Sequence, residues 1–164
     1  MANPTAQTVS AQTDWNSLVD FTVEVEEGRD IRVLQLSDTQ VIAGEDTRSS
    51  GGGDSMWEYK EVQRNERFLE QVILNYNPDF IFIAGDVIYG KYDDNGEHLL
   101  RLIRFMDSFR IPWAPVMGNH DIESYIGIDW VCEQYEKSEY CLFKQRTLTG
   151  NGNYTVGIVQ GGKL

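Results

Sequence analysis

The stretch Phe80-Ile81-Phe82-Ile83-Ala84-Gly85-Asp86 decides the fold of this chain. Its first five residues are all apolar, which is typical of a central parallel strand because both faces of such a strand are covered. The run follows closely on Asn77-Pro78, which ends a predicted helix, and it stops at a glycine and a carboxylate. We therefore predict a buried strand with a polar group at its carboxyl end.

Two further strands and two helices flank this central run. Ile31 to Leu36 is a β-branched and apolar run, and Trp113 to Met117 is a third short strand. Apolar residues at helical spacing predict one helix between Met56 and Tyr76 and another between Leu99 and Phe109. Strand, helix, strand, helix, strand in this order predicts an α/β fold with a right-handed, mostly parallel sheet.

The remaining segments extend this core at both ends. Residues 1–20 are rich in Thr, Gln, Asn and Ser, so we predict a flexible N-terminal arm followed by one domain portion over residues 21–164. Alternation from Phe21 to Val25, followed by an acidic turn, predicts a hairpin with the next strand. A helical stretch from about Ser124 to Tyr135 and a strand from Tyr154 to Val159 complete the expected elements.

The composition disfavours some classes of partner. The 164 residues carry 26 acidic and 14 basic side chains, a formal charge of -12, which argues against nucleic-acid and anionic-membrane binding. There is no basic, apolar leader and no run near the ~18 apolar residues of a membrane span, so a cytoplasmic protein is expected. Cys132 and Cys141 are too few for a disulfide framework, and we predict free thiols. The oligomeric state is left open.

A glycine-rich segment, Ser49 to Asp54, invites comparison with a phosphate-binding loop. No Gly-Lys-Ser or Gly-Lys-Thr follows it, and no strand leads directly into it. We therefore interpret it as a loop insertion.

Oxygen donors follow each of the three strands predicted for the central sheet. Asp38 follows the first strand, Asp86 follows the second, and Asn119, His120 and Asp121 follow the third. The carboxyl ends of parallel strands meet at one edge of a sheet, where ligands bind. A single Asp there often caps a helix or a turn, whereas three such ends together favour a ligand site. Two metals ~3.5 to 4 Å apart need a bridging anion and further donors, and Asp86 is the natural bridge.

Three segments carry a family resemblance: Leu36-Ser37-Asp38-Thr39-Gln40, Gly85-Asp86-Val87-Ile88-Tyr89-Gly90 and Gly118-Asn119-His120-Asp121 resemble the first three motifs of calcineurin-like metallophosphoesterases. The context from Ile111 to Tyr154 is similar to a purple-acid-phosphatase-like branch of that superfamily. The resemblance covers about Ile31 to Val159. It implies an αββα sandwich, of which this chain is expected to hold only the first sheet with its helices, and a hydrolase that cleaves phosphate esters with metal-activated water.

The resemblance also implies a role for each site residue. Asp38 would bind the first metal, Asp86 would bridge both metals, and Asn119 would bind the second. His120 would protonate the leaving oxygen or hold the phosphate, with Asp121 orienting its imidazole. The cofactor would be two divalent or trivalent ions of Mn, Fe or Zn, and the substrate a phosphorylated small molecule or protein.

Gln40 and Tyr89 depart from the family pattern or leave it open, and the family's later histidine ligands are a further difference. Gln40 stands where the family usually has a histidine, and it offers an amide oxygen as a ligand. Tyr89 lies where purple acid phosphatases carry a tyrosinate ligand to ferric iron, and the alternative is a half-buried tyrosine in a loop. The family's later ligands are histidines, whereas this sequence has only His98, interpreted as a surface or capping residue, and His120. We therefore expect a truncated form with little hydrolase activity by itself.

Two other functions stay open at this point. In a different enzymatic class Asp38 would be a nucleophile that forms an aspartyl phosphate, but that class wants a second Asp at position 40, which is Gln. In a non-catalytic alternative, the chain is a degenerate relative that serves as a metal-binding or structural module.

Overall fold

The computed structural model describes residues 18–41, 55–92 and 95–164. The predicted glycine-rich insertion and residues 1–17 of the predicted arm lie outside these ranges. The described strands and helices are, in chain order, β1 (Phe21–Val25), β2 (Val33–Leu36), α1 (Ser55–Tyr76), β3 (Phe80–Ala84), α2 (Glu97–Ser108), β4 (Trp113–Val116), α3 (Ile128–Lys137) and β5 (Val156–Gln160). Two 3-10 turns, Gly90–Tyr92 and Asp121–Glu123, follow β3 and β4 respectively.

The central sheet has the order β2-β3-β4, with both pairs parallel. Its register sets Ile81 of β3 between Leu34 of β2 and Trp113 of β4. α1 connects β2 to β3, and α2 connects β3 to β4. The α/β fold expected from the sequence is therefore confirmed, with β3 as its central strand.

The two faces of β3 are both covered, which accounts for its unbroken apolar run. Ile81 and Ile83 are fully buried in one apolar cluster together with Leu99 and Met106 of α2. Phe80, which alternates with them, belongs to a second cluster on the opposite face. Because a strand residue points to the face opposite its neighbour, a strand packed on both faces can place no polar residue in either set.

The second face of β3 is covered by a separate two-stranded sheet in which β1 pairs with β5 in parallel. The predicted hairpin between β1 and β2 is therefore wrong. The inward residues of β1, Val23 and Val25, are buried against Phe80 and Ala114 of the central sheet. These packing contacts explain why β1 lies across β3 and β4 instead of pairing with β2. The structure thus adds two strands of a facing sheet to the single sheet expected.

Ion pairs fasten the connections between the two sheets. The guanidinium of Arg29, between β1 and β2, donates to both carboxylate oxygens of Asp79 at 2.8 and 2.6 Å. Asp79 also accepts the backbone N–H of Arg32 at 2.9 Å. The Arg29 guanidinium lowers the pKa of Asp79 from 3.8 to about 2, although burial opposes the shift. The start of β2 is therefore tied to the residue that precedes β3.

Residues 18–20 also belong to the fold, although the sequence places them in the arm. The Asp20 carboxylate accepts hydrogen bonds from Lys144 and from the backbone N–H of Thr155, both at 3.0 Å, and it also pairs with Arg146. Arg146 and Lys144 lower the pKa of Asp20 below its ordinary value. This cluster joins the entry of β1 to the entry of β5.

The structure decides two further sequence expectations, which concern the two cysteines and His98. Cys132 and Cys141 are buried free thiols, as predicted. The interpretation of His98 as a surface or capping residue is wrong, because this residue in the first turn of α2 is buried. Gly96, in a left-handed conformation with φ 82°, occupies the N-cap position instead. Within the described ranges, no helix is long and apolar enough to cross a membrane.

The Arg29–Asp79 pair makes a testable prediction about stability and pH. Folding lowers the pKa of Asp79, so the pair stabilises the fold above about pH 4, and this stabilisation is lost as the pH falls toward 2. Asp79→Asn should reduce the free energy of unfolding by about 1 kcal/mol at about pH 6, and by less at about pH 3. Urea denaturation followed by tryptophan fluorescence measures both values.

The exposed carboxylate of Asp30 provides the control for this experiment, since Asp30→Asn removes the same charge from the residue next to Arg29. Its free energy of unfolding should stay within about 0.5 kcal/mol of the original at both pH values. An equal loss for Asp79→Asn at the two pH values would contradict the assignment of this ion pair.

Candidate metal centre

The ends of β2 and β3 stay paired beyond the strands themselves. The backbone N–H of Asp38 donates to the carbonyl of Gly85 at 3.2 Å, and the N–H of Gln40 donates to the carbonyl of Asp86 at 2.9 Å. These bonds hold two of the predicted ligands, Asp38 and Gln40, directly beside a third, Asp86. The convergence expected from three parallel strand ends is therefore present for the first two of them.

The backbone at this edge adopts an unusual conformation. Asp38, Gln40 and Asp86 have φ values of 53°, 40° and 48°, in the left-handed region. They are three of the six non-glycine residues with positive φ in the described part of the chain. Such conformations cost on the order of 1 kcal/mol each and concentrate where a site requires them. The concentration at the predicted ligands favours a ligand site over ordinary turns.

The third strand end approaches Asp86 through a glycine. A Cβ placed on Gly118 would lie 2.1 Å from Oδ1 of Asp86 and 2.3 Å from its backbone nitrogen. The same Oδ1 accepts the backbone N–H of His120 at 2.9 Å. Asn119, between these two residues, is therefore positioned next to Asp86 by contacts on both sides. Only glycine allows this approach at position 118.

The predicted role of Asp121 in orienting the imidazole of His120 is wrong in this structure. Its fully buried carboxylate accepts the backbone N–H groups of Ile88 at 3.0 Å and Gly118 at 2.7 Å. Burial raises the pKa of Asp121, and these two hydrogen bonds oppose the shift. Asp121 therefore joins the loop after β3 to the loop after β4, beneath the predicted ligands.

Glu123 occupies the position beside the imidazole that was predicted for Asp121. Nδ1 of His120 lies 2.8 Å from Oε2 of Glu123. The Glu123 carboxylate raises the pKa of His120, with desolvation acting against it. Glu123 was not among the site residues predicted from the sequence. Side chains three residues apart eclipse each other in a 3-10 turn, so the spacing of His120 and Glu123 is the signal that could have found it.

Tyr89 packs its ring on the imidazole of His120, with ring centroids 4.2 Å apart and an interplanar angle of 31°. It is half-buried and follows β3 in a loop. This placement agrees with the half-buried loop tyrosine that the sequence left as an alternative. A role for its phenol oxygen as an iron ligand stays a prediction.

The donor set decides how far these residues fit a metal centre. At this edge the backbones of Asp38 and Gln40 lie beside Gly85 and Asp86, and these residues together with Asn119 offer carboxylate and amide oxygens. Such oxygen donors suit hard divalent cations. In the part of the chain that the structure describes, no three side chains of His, Cys, Asp or Glu form a cluster able to hold a metal ion. By residue type, the oxygen donors of Asp38, Gln40, Asp86 and Asn119 fit one side of a metal centre.

The role of Asp121 can be tested by changing one oxygen atom. Asp121→Asn keeps the shape of the side chain, but its NH2 group would face one of the two backbone N–H donors. We expect the free energy of unfolding to fall by about 1–3 kcal/mol, since a buried donor loses its acceptor. Chemical denaturation at neutral pH measures this loss. Asp129→Asn, at an exposed position on α3, is the matched control, and equal stability of the two variants would contradict the assignment.

Comparison with known proteins agrees with the sequence resemblance. A family model described as calcineurin-like phosphoesterase matches residues 31–163. A protein of Arabidopsis thaliana named "Probable inactive purple acid phosphatase 28" is 39% identical over 94 residues, which are 57% of this chain and 24% of that protein. The phosphatase DCR2 of Saccharomyces cerevisiae is 30% identical over an alignment of 149 residues that covers 82% of this chain and 24% of that protein.

The chain thus spans about a quarter of the length of these curated relatives. Among solved structures, the Pseudomonas putida nuclease MPE matches 79% of this chain and 48% of its own chain, with a TM-score of 0.42 and 11% identity. The family match includes all three strand ends of the site. On that match, the chain belongs to the calcineurin-like phosphoesterase family.

Proposed function

We propose that this chain supplies the oxygen ligands of a divalent metal centre that hydrolyses phosphate esters. The observation that carries the proposal is the position of Asp86. Its backbone carbonyl accepts the N–H of Gln40, and its carboxylate accepts the N–H of His120. Asp86 is therefore the residue at which all three strand ends meet. Calcineurin-like phosphoesterases generally use divalent metal ions, and these ends carry the donors that such ions prefer.

Asp38, Asp86 and Asn119 would hold the cations, and Gln40 would add an amide oxygen. When bound, divalent cations supply Lewis-acid charge that activates water and stabilises the negative charge of a phosphoryl group. That charge has a second use in this protein. The chain carries a formal charge of -12, so an anionic substrate needs positive charge at the site to approach it.

His120 is the side chain suited to the leaving oxygen. Glu123 raises its pKa, so a larger fraction of the imidazole is protonated near neutral pH. A protonated imidazole can donate a hydrogen bond to a phosphate oxygen or a proton to the departing alkoxide. We propose a phosphorylated small molecule or protein as substrate. The acidic charge of the chain supports this choice over nucleic acid.

A second candidate function is a metal-binding or structural module without turnover. Two observations favour it. Gln40 replaces the histidine usual at its position, and the described residues contain no three-residue cluster of strong metal ligands. In addition, two relatives from Arabidopsis thaliana are named "Probable inactive purple acid phosphatase", with the numbers 28 and 14. The two candidates share the cation site and differ in whether an ester is cleaved there.

Metal binding tests what the two candidates share. Asp86→Asn keeps an oxygen that can accept the N–H of His120 but removes the charge offered to a cation. We expect Mn²⁺ affinity, measured by titration calorimetry, to fall at least about tenfold in this variant, a free-energy loss of about 1.4 kcal/mol. Asp30→Asn removes an exposed carboxylate away from the site and should bind as the original does. Equal binding by Asp86→Asn would remove this site from consideration.

Turnover separates the two candidates. With Mn²⁺ or Fe²⁺ added, we expect this chain to hydrolyse an aryl phosphate far more slowly than a complete member of the family does. The reason is that the chain has two histidines, of which one is buried in α2 and the other pairs with Glu123. Turnover near that of a complete member, abolished by Asp86→Asn and by His120→Asn, would contradict this expectation and exclude the non-catalytic module.

A further inference from the structure

The two ring nitrogens of His120 are in different environments. Nδ1 lies 2.8 Å from the carboxylate of Glu123, within hydrogen-bond distance. For Nε2, the described residues include no such partner. Which nitrogen of a histidine carries the proton is set by the hydrogen bond that the other one makes. A carboxylate only accepts when it is ionised, so the nitrogen beside Glu123 is the one that must donate.

The position of Glu123 is set by the backbone around it. The N–H of Glu123 donates to the carbonyl of His120 at 3.2 Å, which closes the 3-10 turn between them. The N–H of Gly90 donates to the same carbonyl at 3.1 Å. A Cβ on Gly90 would lie 2.5 Å from that oxygen and 2.7 Å from the nitrogen of Ser124. The turn that carries both side chains is therefore packed against the loop after β3.

The ring itself has little freedom to turn over. Tyr89 packs on one face of the imidazole, with ring centroids 4.2 Å apart. The backbone N–H of His120 is held by Asp86, and the next residue, Asp121, is fully buried. A ring fixed at its face and at Nδ1 presents its remaining nitrogen in one direction.

We propose that Glu123 is a positioning residue that holds His120 with its proton on Nδ1 and so makes Nε2 the nitrogen that acts on the phosphate ester. This inference rests on the proposed function of the site. In the described part of the chain, the polar side-chain partner of the Glu123 carboxylate is the imidazole of His120. Its carboxylate plays the part that an acidic partner commonly plays beside a functional imidazole, which is to fix the tautomer and the ring orientation.

This arrangement supports a proton transfer from Nε2 of His120 to the leaving oxygen of the ester. The oxygen of the attacking water bonds to phosphorus, and the bond between phosphorus and the leaving oxygen breaks with its electron pair on that oxygen. The proton on Nε2 of the imidazolium moves to the leaving oxygen, which gives the alcohol. The imidazole stays neutral with its Nδ1 proton on the Glu123 side. The proton lost by the attacking water passes to solvent, from which Nε2 is protonated again.

The tautomer of His120 tests the proposal directly. Two-bond ¹H–¹⁵N correlation spectra of the full chain, without metal and at about pH 9, distinguish the two neutral tautomers. With two histidines in the chain, loss of one set of signals in His120→Gln assigns the other to His98. We expect His120 to be mainly the Nδ1–H tautomer in the original chain. Glu123→Ala should change it to mainly Nε2–H.

Two further variants make the result specific. Glu123→Gln has an amide oxygen that can accept the same hydrogen bond, so it should retain the Nδ1–H form. Glu133→Ala removes an exposed carboxylate from α3, where it pairs with Lys137, and should leave His120 unchanged. Unchanged signals of the buried His98 report that each variant is folded.

An Nε2–H tautomer in the original chain would overturn the proposal, and so would an unchanged tautomer in Glu123→Ala. Neither result depends on metal binding or turnover. A failure of the Mn²⁺ titration with the predicted tautomer intact would count against the proposed function alone. The predicted Mn²⁺ binding together with a tautomer other than the predicted one would count against the positioning role of Glu123 alone.

Discussion

The contact between Asp86 and Gly118 is the constraint on which the site depends. At the end of β3 the carboxylate of Asp86 lies where a side chain on residue 118 would have to be. This absence of a side chain lets the loop after β4 rest against the end of β3. From that contact the N–H of His120 reaches Asp86, and the carboxylate of Asp121 reaches the N–H groups of both loops. The buried carboxylate of Asp121 thus connects the polar loops at this edge of the sheet.

Such an arrangement is unfavourable by itself and needs a rigid support. Left-handed backbone at three non-glycine residues and a buried carboxylate in Asp121 each cost free energy. The apolar clusters on both faces of β3 provide the support, because the strands that lead to the proposed ligands are the strands that these clusters hold in place. β3 itself is apolar throughout, and the polar residues predicted as ligands follow the strand ends.

The sequence was sufficient wherever a local pattern determined the outcome. The apolar run of β3, the helical spacing in α1 and α2, and the polar residues at each strand end all led to the observed elements. The sequence was insufficient where the position of an element or side chain depends on a partner that is distant in the chain. The alternation within β1 does not predict its pairing with β5, because its position depends on the packing of Val23 and Val25 against Phe80 and Ala114. The sequence motif does not reveal that the partners of Asp121 are backbone N–H groups and not the imidazole of His120. Glu123 was missed although its spacing from His120 was visible.

We propose that Asp38, Asp86 and Asn119 contribute to one metal centre at the carboxyl edge of the central sheet. Its most direct test is a crystal structure of the chain grown with Mn²⁺ and measured near the manganese absorption edge. We expect anomalous-scattering density at this edge, with an oxygen of each of these three side chains about 2.0–2.6 Å from a manganese peak. Peaks confined to other acidic surfaces, or no peak at this edge under saturating Mn²⁺, would contradict it.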